Sequence, residues 1–172
     1  MNGVFLGRMC PIHIGHEEVI KKMIFICGGV ENCLVVIGSS NSRISKGNTR
    51  NFFSYKERRN FFKAIFPEVS VVGLPDYHND NEWLIALDDI LSSLKMIPHK
   101  VTYFGGCNQD VDFFIRDNRL VYILNRFSGR TPKISSSEVR DCLAYCRPID
   151  KFLNPLILNM VIETFKKKDL NL

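Results

Sequence analysis

Gly7-Arg8-Met9-Cys10-Pro11-Ile12-His13-Ile14-Gly15-His16 is the stretch on which the fold turns. The apolar run Asn2 to Leu6 before it reads as a strand. After it, Gly15 to Ile26 reads as a helix, with Val19, Ile20, Met23, Ile24 and Cys27 recurring on one stripe. The quoted residues are therefore the turn from a first strand into a first helix. In open α/β sheets ligands bind outside the carboxyl ends of the strands, at turns of this kind. Gly7 lets backbone approach a ligand closely. Gly15 stands at a helix start, where open N–H groups and the positive end of the dipole favour phosphate. His13 and His16 are three residues apart, so both imidazoles project to one side of the first turn. Each can donate a hydrogen bond to a phosphate oxygen.

Outward from that turn the chain alternates short apolar runs with longer amphipathic ones. Cys33 to Gly38 is a β-branched run, hence a buried strand, and Ser39 to Phe53 is a polar, basic loop. Ser54 to Phe66 reads as a helix, with Ser54 as N-cap and Glu57 as its capping-box partner. Strands follow at Val69 to Val72, Val101 to Phe104 and Leu120 to Leu124, with a Gly105-Gly106 turn after the second of these. Helices are expected at Asn81 to Leu94, Asp110 to Asp117, Ser136 to Tyr145 and Pro155 to Lys168. This order implies a Rossmann-like α/β fold: a doubly wound parallel sheet of about five strands with helices on both faces. No linker or repeat interrupts residues 1–172, so one domain is expected.

The 172 residues are enough to bury a core, with 45% hydrophobic and 24% charged residues. A net charge of +5 suits an anionic ligand. Aromatic-basic interleaving of the single-strand-binding type is missing, which argues against nucleic acid. No apolar run reaches membrane-spanning length and no signal peptide precedes the first strand, so a cytoplasmic protein is expected. The six cysteines are scattered, without a CxxC pair, and read as reduced thiols acting as small hydrophobes. Cys10, His13 and His16 share a spacing that could suit zinc, but a fourth ligand has no source, and no protein metal site is expected. Lys166-Lys167-Lys168 reads as a solvated helix end.

A second anion site lies at Ile134-Ser135-Ser136-Ser137-Glu138-Val139-Arg140. A serine caps the helix there, and Arg140, one turn in, can reach the same anion. Arg130 and Lys133 deepen the positive field. Two such sites suit attack by a phosphate oxygen on the α-phosphorus of a triphosphate. That reaction needs positioning and charge stabilisation rather than a covalent nucleophile.

Gly7-Arg8 with Pro11 and His13-Ile14-Gly15-His16 resembles the HxGH signature of the nucleotidyltransferase superfamily. Its GRxxPxHxGH form is most similar to archaeal-type nicotinamide mononucleotide (NMN) adenylyltransferases. Ser135-Ser136-Ser137 to Arg140 resembles the ISSTxIR-like motif of the same superfamily. The resemblance implies His13, His16 and Arg140 as catalytic residues. It implies Gly7, Arg8, Gly15, Ser135, Ser137 and Arg50 on the phosphates of ATP. Further matches are Gly38-Ser39-Ser40-Asn41, Arg50-Asn51-Phe52-Phe53-Ser54 leading to Glu57-Arg58, and Asp76 ahead of Trp83. They imply an acceptor site made by Trp83, Asp76, Ser39, Asn51, Phe52, Arg58 and Gly105. A tryptophan so placed stacks on the nicotinamide ring in that family, and a cationic pyridinium is well held against indole. On spacing alone Trp83 also reads as a packed helix residue. Arg43, Lys46, Arg50 and Arg58 form a basic cluster that suits either solvent or the acceptor phosphate.

The implied activity makes NAD and pyrophosphate from ATP and NMN, with Mg2+ on the triphosphate. Alternatives are a transferase of the pantetheine-phosphate adenylyltransferase or glycerol-phosphate cytidylyltransferase type, or a non-catalytic nucleotide-binding sensor. This sequence departs from the family at Cys10, Ile12, Phe52 and Gly106-Cys107. Relatives of this type are often multimeric, and Phe61, Phe62 and Phe66 could serve a homo-oligomer interface or the core.

Overall fold

The computed structural model describes residues 1–42, 52–125 and 133–169. Five strands, β1 (Gly3–Gly7), β2 (Cys33–Ile37), β3 (Ser70–Gly73), β4 (Thr102–Gly105) and β5 (Leu120–Ile123), form one sheet in the order β3-β2-β1-β4-β5. All four pairings are parallel, with Gly3 opposite both Cys33 and Thr102. The helices are α1 (Ile14–Cys27), α2 (Tyr55–Ile65), α3 (Asp80–Ser93), α4 (Asn108–Arg116), α5 (Ser136–Ala144) and α6 (Pro155–Asp169). The expected doubly wound sheet is the one found. Element ends differ from the sequence reading by a residue or two, and a short 3₁₀ turn at Val30–Asn32 was not expected.

The strand order follows from handedness. From β1 the chain steps to β2 and then β3 in one direction, then returns past β1 to β4 and β5. Right-handed crossovers place helices on opposite faces when the direction reverses. Accordingly α1 and α2 pack with Phe5, Val35, Ile37 and Phe104 on one face. Leu87, Leu91, Val111 and Phe114 of α3 and α4 pack with Val4, Leu34, Val36 and Tyr103 on the other. Both faces of β2 are covered, which is why Cys33–Ile37 is apolar without alternation and wholly buried. The reversal leaves a crevice at the carboxyl ends of β1 and β4.

Local signals explain the helix ends. Ser54 caps α2, taking Glu57 N at 3.3 Å while Glu57 Oε2 takes Ser54 N at 2.7 Å, the box read from sequence. Gly28 ends α1 in the left-handed region at φ 79°, its N–H on Ile24 O. Phe61, Phe62 and Phe66 are buried in this chain's own core. Lys168 is not the solvated end expected: its ammonium pairs with Glu57 and donates to Phe52 O at 2.9 Å, pinning α6 to the cap of α2. At the far end of the sheet Arg119 joins Asp88 at 2.6 Å and Tyr103 Oη at 2.7 Å, bracing α3 against β4 away from the crevice.

Candidate active site

The turn after β1 folds onto its own histidines. His13, not Gly15, is the N-cap of α1: its Nδ1 accepts Gly15 N at 3.2 Å, and His16 Nδ1 accepts His13 N at 3.3 Å. This reciprocal box uses imidazoles where Ser and Glu are usual. The ring centroids lie 3.8 Å apart, so the two side chains do share one side of the turn. An Nδ1 that accepts leaves the proton of a neutral imidazole on Nε2. The cap therefore fixes the tautomer in which Nε2 is a donor. His16 borders a cavity of about 110 Å³ together with Gly7, Arg8, Gly15, Gly106 and Asp110.

The start of α5 docks on that turn. Ser135 is the N-cap, its Oγ accepting from Glu138 N at 3.2 Å. Ser136 Oγ donates to Pro11 O at 2.9 Å. Arg140 donates from Nη1 to Cys10 O and from Nη2 to Ser137 Oγ. Thus Arg140 and Ser136 clamp the second motif to the backbone of the first. Arg140 is buried, and its Nε is a buried donor without a partner among the described residues. Arg8, Cys10, Asp110, Ser135, Ser137 and Arg140 border a second cavity of about 390 Å³, with Ser136.

The loops after β2 and β3 build the third wall. Ser39 Oγ donates to Asp76 Oδ1 at 2.8 Å, and Asn41 brackets the Asp76 backbone with bonds of 2.8 and 3.2 Å. Ser39 adopts φ 52° and Met9 φ 47°, so the loops after β1 and β2 each hold a non-glycine residue in the left-handed region. Trp83 is half-buried, edge-on to Phe113 at 5.3 Å. It both packs in the core and borders a cavity of about 510 Å³ with Arg8, Asp76, Tyr77, His78 and Asp80. Arg8 borders all three cavities.

Other expected residues lie elsewhere. Arg58 is fully buried rather than open to a ligand; it donates to Arg8 O at 2.7 Å and to Gly38 O and Ser39 O at 2.8 Å each. Burial pulls its guanidinium below the usual arginine range, and the Asp76 charge acts the other way. Phe52 stacks on Phe165 of α6 at 4.6 Å and borders none of these three cavities. Gly105 is buried at the end of β4, where a Cβ would meet Val111 Cγ1 at 2.6 Å; its neighbour Gly106 borders the crevice. Arg43, Lys46, Arg50, Asn51 and Arg130 lie outside the described residues. Sequence reasoning missed Ser136 and Asp110. Ser136 had no signal beyond its motif. Asp110 stands three residues after Cys107, and its Oδ2 takes Gly106 N at 2.9 Å and Cys107 N at 3.1 Å, so the signal was a capping carboxylate at the strand-order reversal.

Solved structures of other proteins share this fold. The NadR protein in complex with NAD and AMP-PNP is similar in fold, with a TM-score of 0.59 and 18% identity over 90% of this chain and 45% of that one. The NadR protein in complex with NR gives a TM-score of 0.61 and 16% identity over 90% of this chain and 43% of that one. This chain thus spans less than half the length of NadR. A protein from Vibrio parahaemolyticus, assigned as a nicotinate-nucleotide adenylyltransferase, gives a TM-score of 0.56 and 17% identity over 94% of this chain and 99% of that one. At these identities the likeness is one of fold. The sequence pattern of the cytidylyltransferase-like family matches residues 4–142, a span that holds both His13–His16 and Ser135–Arg140. The chain belongs to the cytidylyltransferase-like family.

Proposed function

We propose that this chain is an adenylyltransferase that joins ATP to NMN, giving NAD and pyrophosphate. The observation that carries this reading is Arg8. This one basic residue borders the histidine cavity, the Ser135–Arg140 cavity and the Trp83 cavity. A reaction between a triphosphate and a second phosphate needs such a junction, where both anions meet one cation. The structural likeness to NadR, whose structures hold NAD, AMP-PNP and NR, is consistent with it.

The chemistry follows from the donors. An oxygen of the NMN phosphate attacks the α-phosphorus of ATP. A new P–O bond forms, the bond from the α-phosphorus to the β-bridging oxygen breaks, and pyrophosphate leaves with that electron pair. His13 and His16, held as Nε2–H donors by their caps, would stabilise charge on the α-phosphoryl oxygens. Arg140, Ser137 and the start of α5 would hold the departing phosphates. Among the described residues no three His, Cys, Asp or Glu side chains converge as a cage. That donor set suits an ion carried on the triphosphate and keeping most of its water. Mg2+ bound in this way would neutralise charge on the leaving group.

The acceptor reading rests on Trp83 with Asp76 and Asp80 on one cavity. Indole and carboxylates favour the cationic nicotinamide ring. They disfavour the added negative charge of nicotinate mononucleotide, the acceptor that the name of the Vibrio parahaemolyticus protein brings into question. The test is a pyrophosphate-release screen that crosses ATP and CTP with NMN, nicotinate mononucleotide, phosphopantetheine and glycerol phosphate. ATP with NMN is expected to lead. Release only with another acceptor would overturn the substrate assignment, and release with none would overturn the reaction.

A further inference from the structure

Among the described residues Asp110 is the one carboxylate on either phosphate-side cavity, and it borders both of them. Everything else polar there favours an anion: His16, Arg8, Arg140, serine hydroxyls and two helix starts. A bare triphosphate entering these cavities meets a negative charge that none of those groups explains.

A purely structural role accounts for only half of the side chain. Oδ2 holds Gly106 N and Cys107 N and caps α4. Oδ1 takes no hydrogen bond from the described residues, and the side chain is exposed toward the crevice rather than packed. The cap needs an acceptor, which asparagine or serine also supplies. The formal charge is a separate feature.

We propose that Asp110 makes the site selective for the divalent-cation complex of the triphosphate over the free anion. This rests on the reading above, that a nucleoside triphosphate occupies these cavities. A carboxylate among phosphates repels them when they are bare and attracts them through a bound cation, directly or through its water. Asp110 would thereby act as a specificity residue. Its carboxylate, at the turn after β4, would hold the cation carried by the triphosphate, directly or through water.

Titration calorimetry separates the charge from the cap. ATP is titrated into the wild type with excess Mg2+ and again with EDTA, and the same is done for Asp110→Asn and Asp110→Ser, which keep a cap acceptor. The wild type is expected to prefer Mg2+-ATP by roughly tenfold or more, on the scale of one charge contact. Both variants should bring the ratio close to one, chiefly by binding metal-free ATP as well as or better than the wild type. Mn2+ titrated into the preformed protein–ATP complex should bind more weakly in the variants. If the variants lose affinity equally with and without metal, Asp110 contacts nucleotide or only caps the helix, and the proposal falls. If the ratio stays at the wild-type value, it also falls. If the wild type binds no triphosphate under either condition, the reading of the whole site fails with it.

Discussion

Replacing Arg58 by methionine should remove the tie beneath Arg8. The guanidinium is 0% exposed and reaches Arg8 O, Gly38 O and Ser39 O at 2.7–2.8 Å. Methionine keeps much of the stem and removes all three donors. Ser39 O retains Ser42 Oγ at 2.8 Å, so the loss falls mainly on the other two carbonyls. Each bond from a charged donor contributes about 1.5–3 kcal/mol, so the gross loss is about 3–6 kcal/mol. Against it stands the release of a cation that burial disfavours, with Nε buried and unpartnered among the described residues. The net destabilisation expected is about 3 kcal/mol, at the lower edge of breaking a buried charged network. In a domain of this size Tm should fall by about 6–12 °C, and the urea midpoint should fall at constant m. The same bonds join the loop after β1 to the loop after β2. Affinity for nucleotide and for acceptor should therefore weaken together, as two walls loosen at once. Arg58→Lys should lie between, because one ammonium cannot replace a fork spread over three carbonyls. A loss below about 1 kcal/mol would refute the reasoning, since it lies under even one such bond.

His16→Ala should keep the fold by circular dichroism and cut turnover by about 100-fold or more, the scale of losing an oxyanion donor. Losing its cap on His13 N should add about 1 kcal/mol of destabilisation in urea. Trp83→Ala should raise the apparent KM for NMN far more than that for ATP; equal effects would mean that Trp83 only packs against Phe113. In thiol titration of the native protein exposed Cys146 should react first. Cys33, whose thiol burial pushes up to about 12, should stay protonated and silent until unfolding. Its folded value lies above its unfolded one, so its contribution to stability is constant below about pH 8.5 and is lost as pH climbs toward 12. A urea midpoint that does not fall across that window would contradict this burial.

The sheet was legible because its signals are local and redundant. The run Cys33 to Ile37 is apolar at every position, and only a strand covered on both faces requires that. The boxes at Ser54–Glu57 and Ser135–Glu138 are each written in four consecutive residues. The helix starts at His13–His16 and Ser135–Arg140 were legible for the same reason. Arg58 was not, because a sequence records a charge but not the direction in which its side chain turns. Next to Arg43 and Lys46 it reads as part of a basic surface. In the fold, three carbonyls from two loops converge on it, and those carbonyls belong to residues far apart in the chain. Phe52 and Lys168 follow the same rule, since both are placed by α6, which the sequence does not link to the loop after β2. Asp110 lies between these cases. Its capping position is a local signal, but its presence beside Arg8, His16 and Arg140 follows only from the reversal of strand order that brings β4 beside β1. Spacing reveals which residues a motif contributes. The topology decides what those residues face, and at Asp110 that is a negative charge set beside Arg8, His16, Arg140 and three serines.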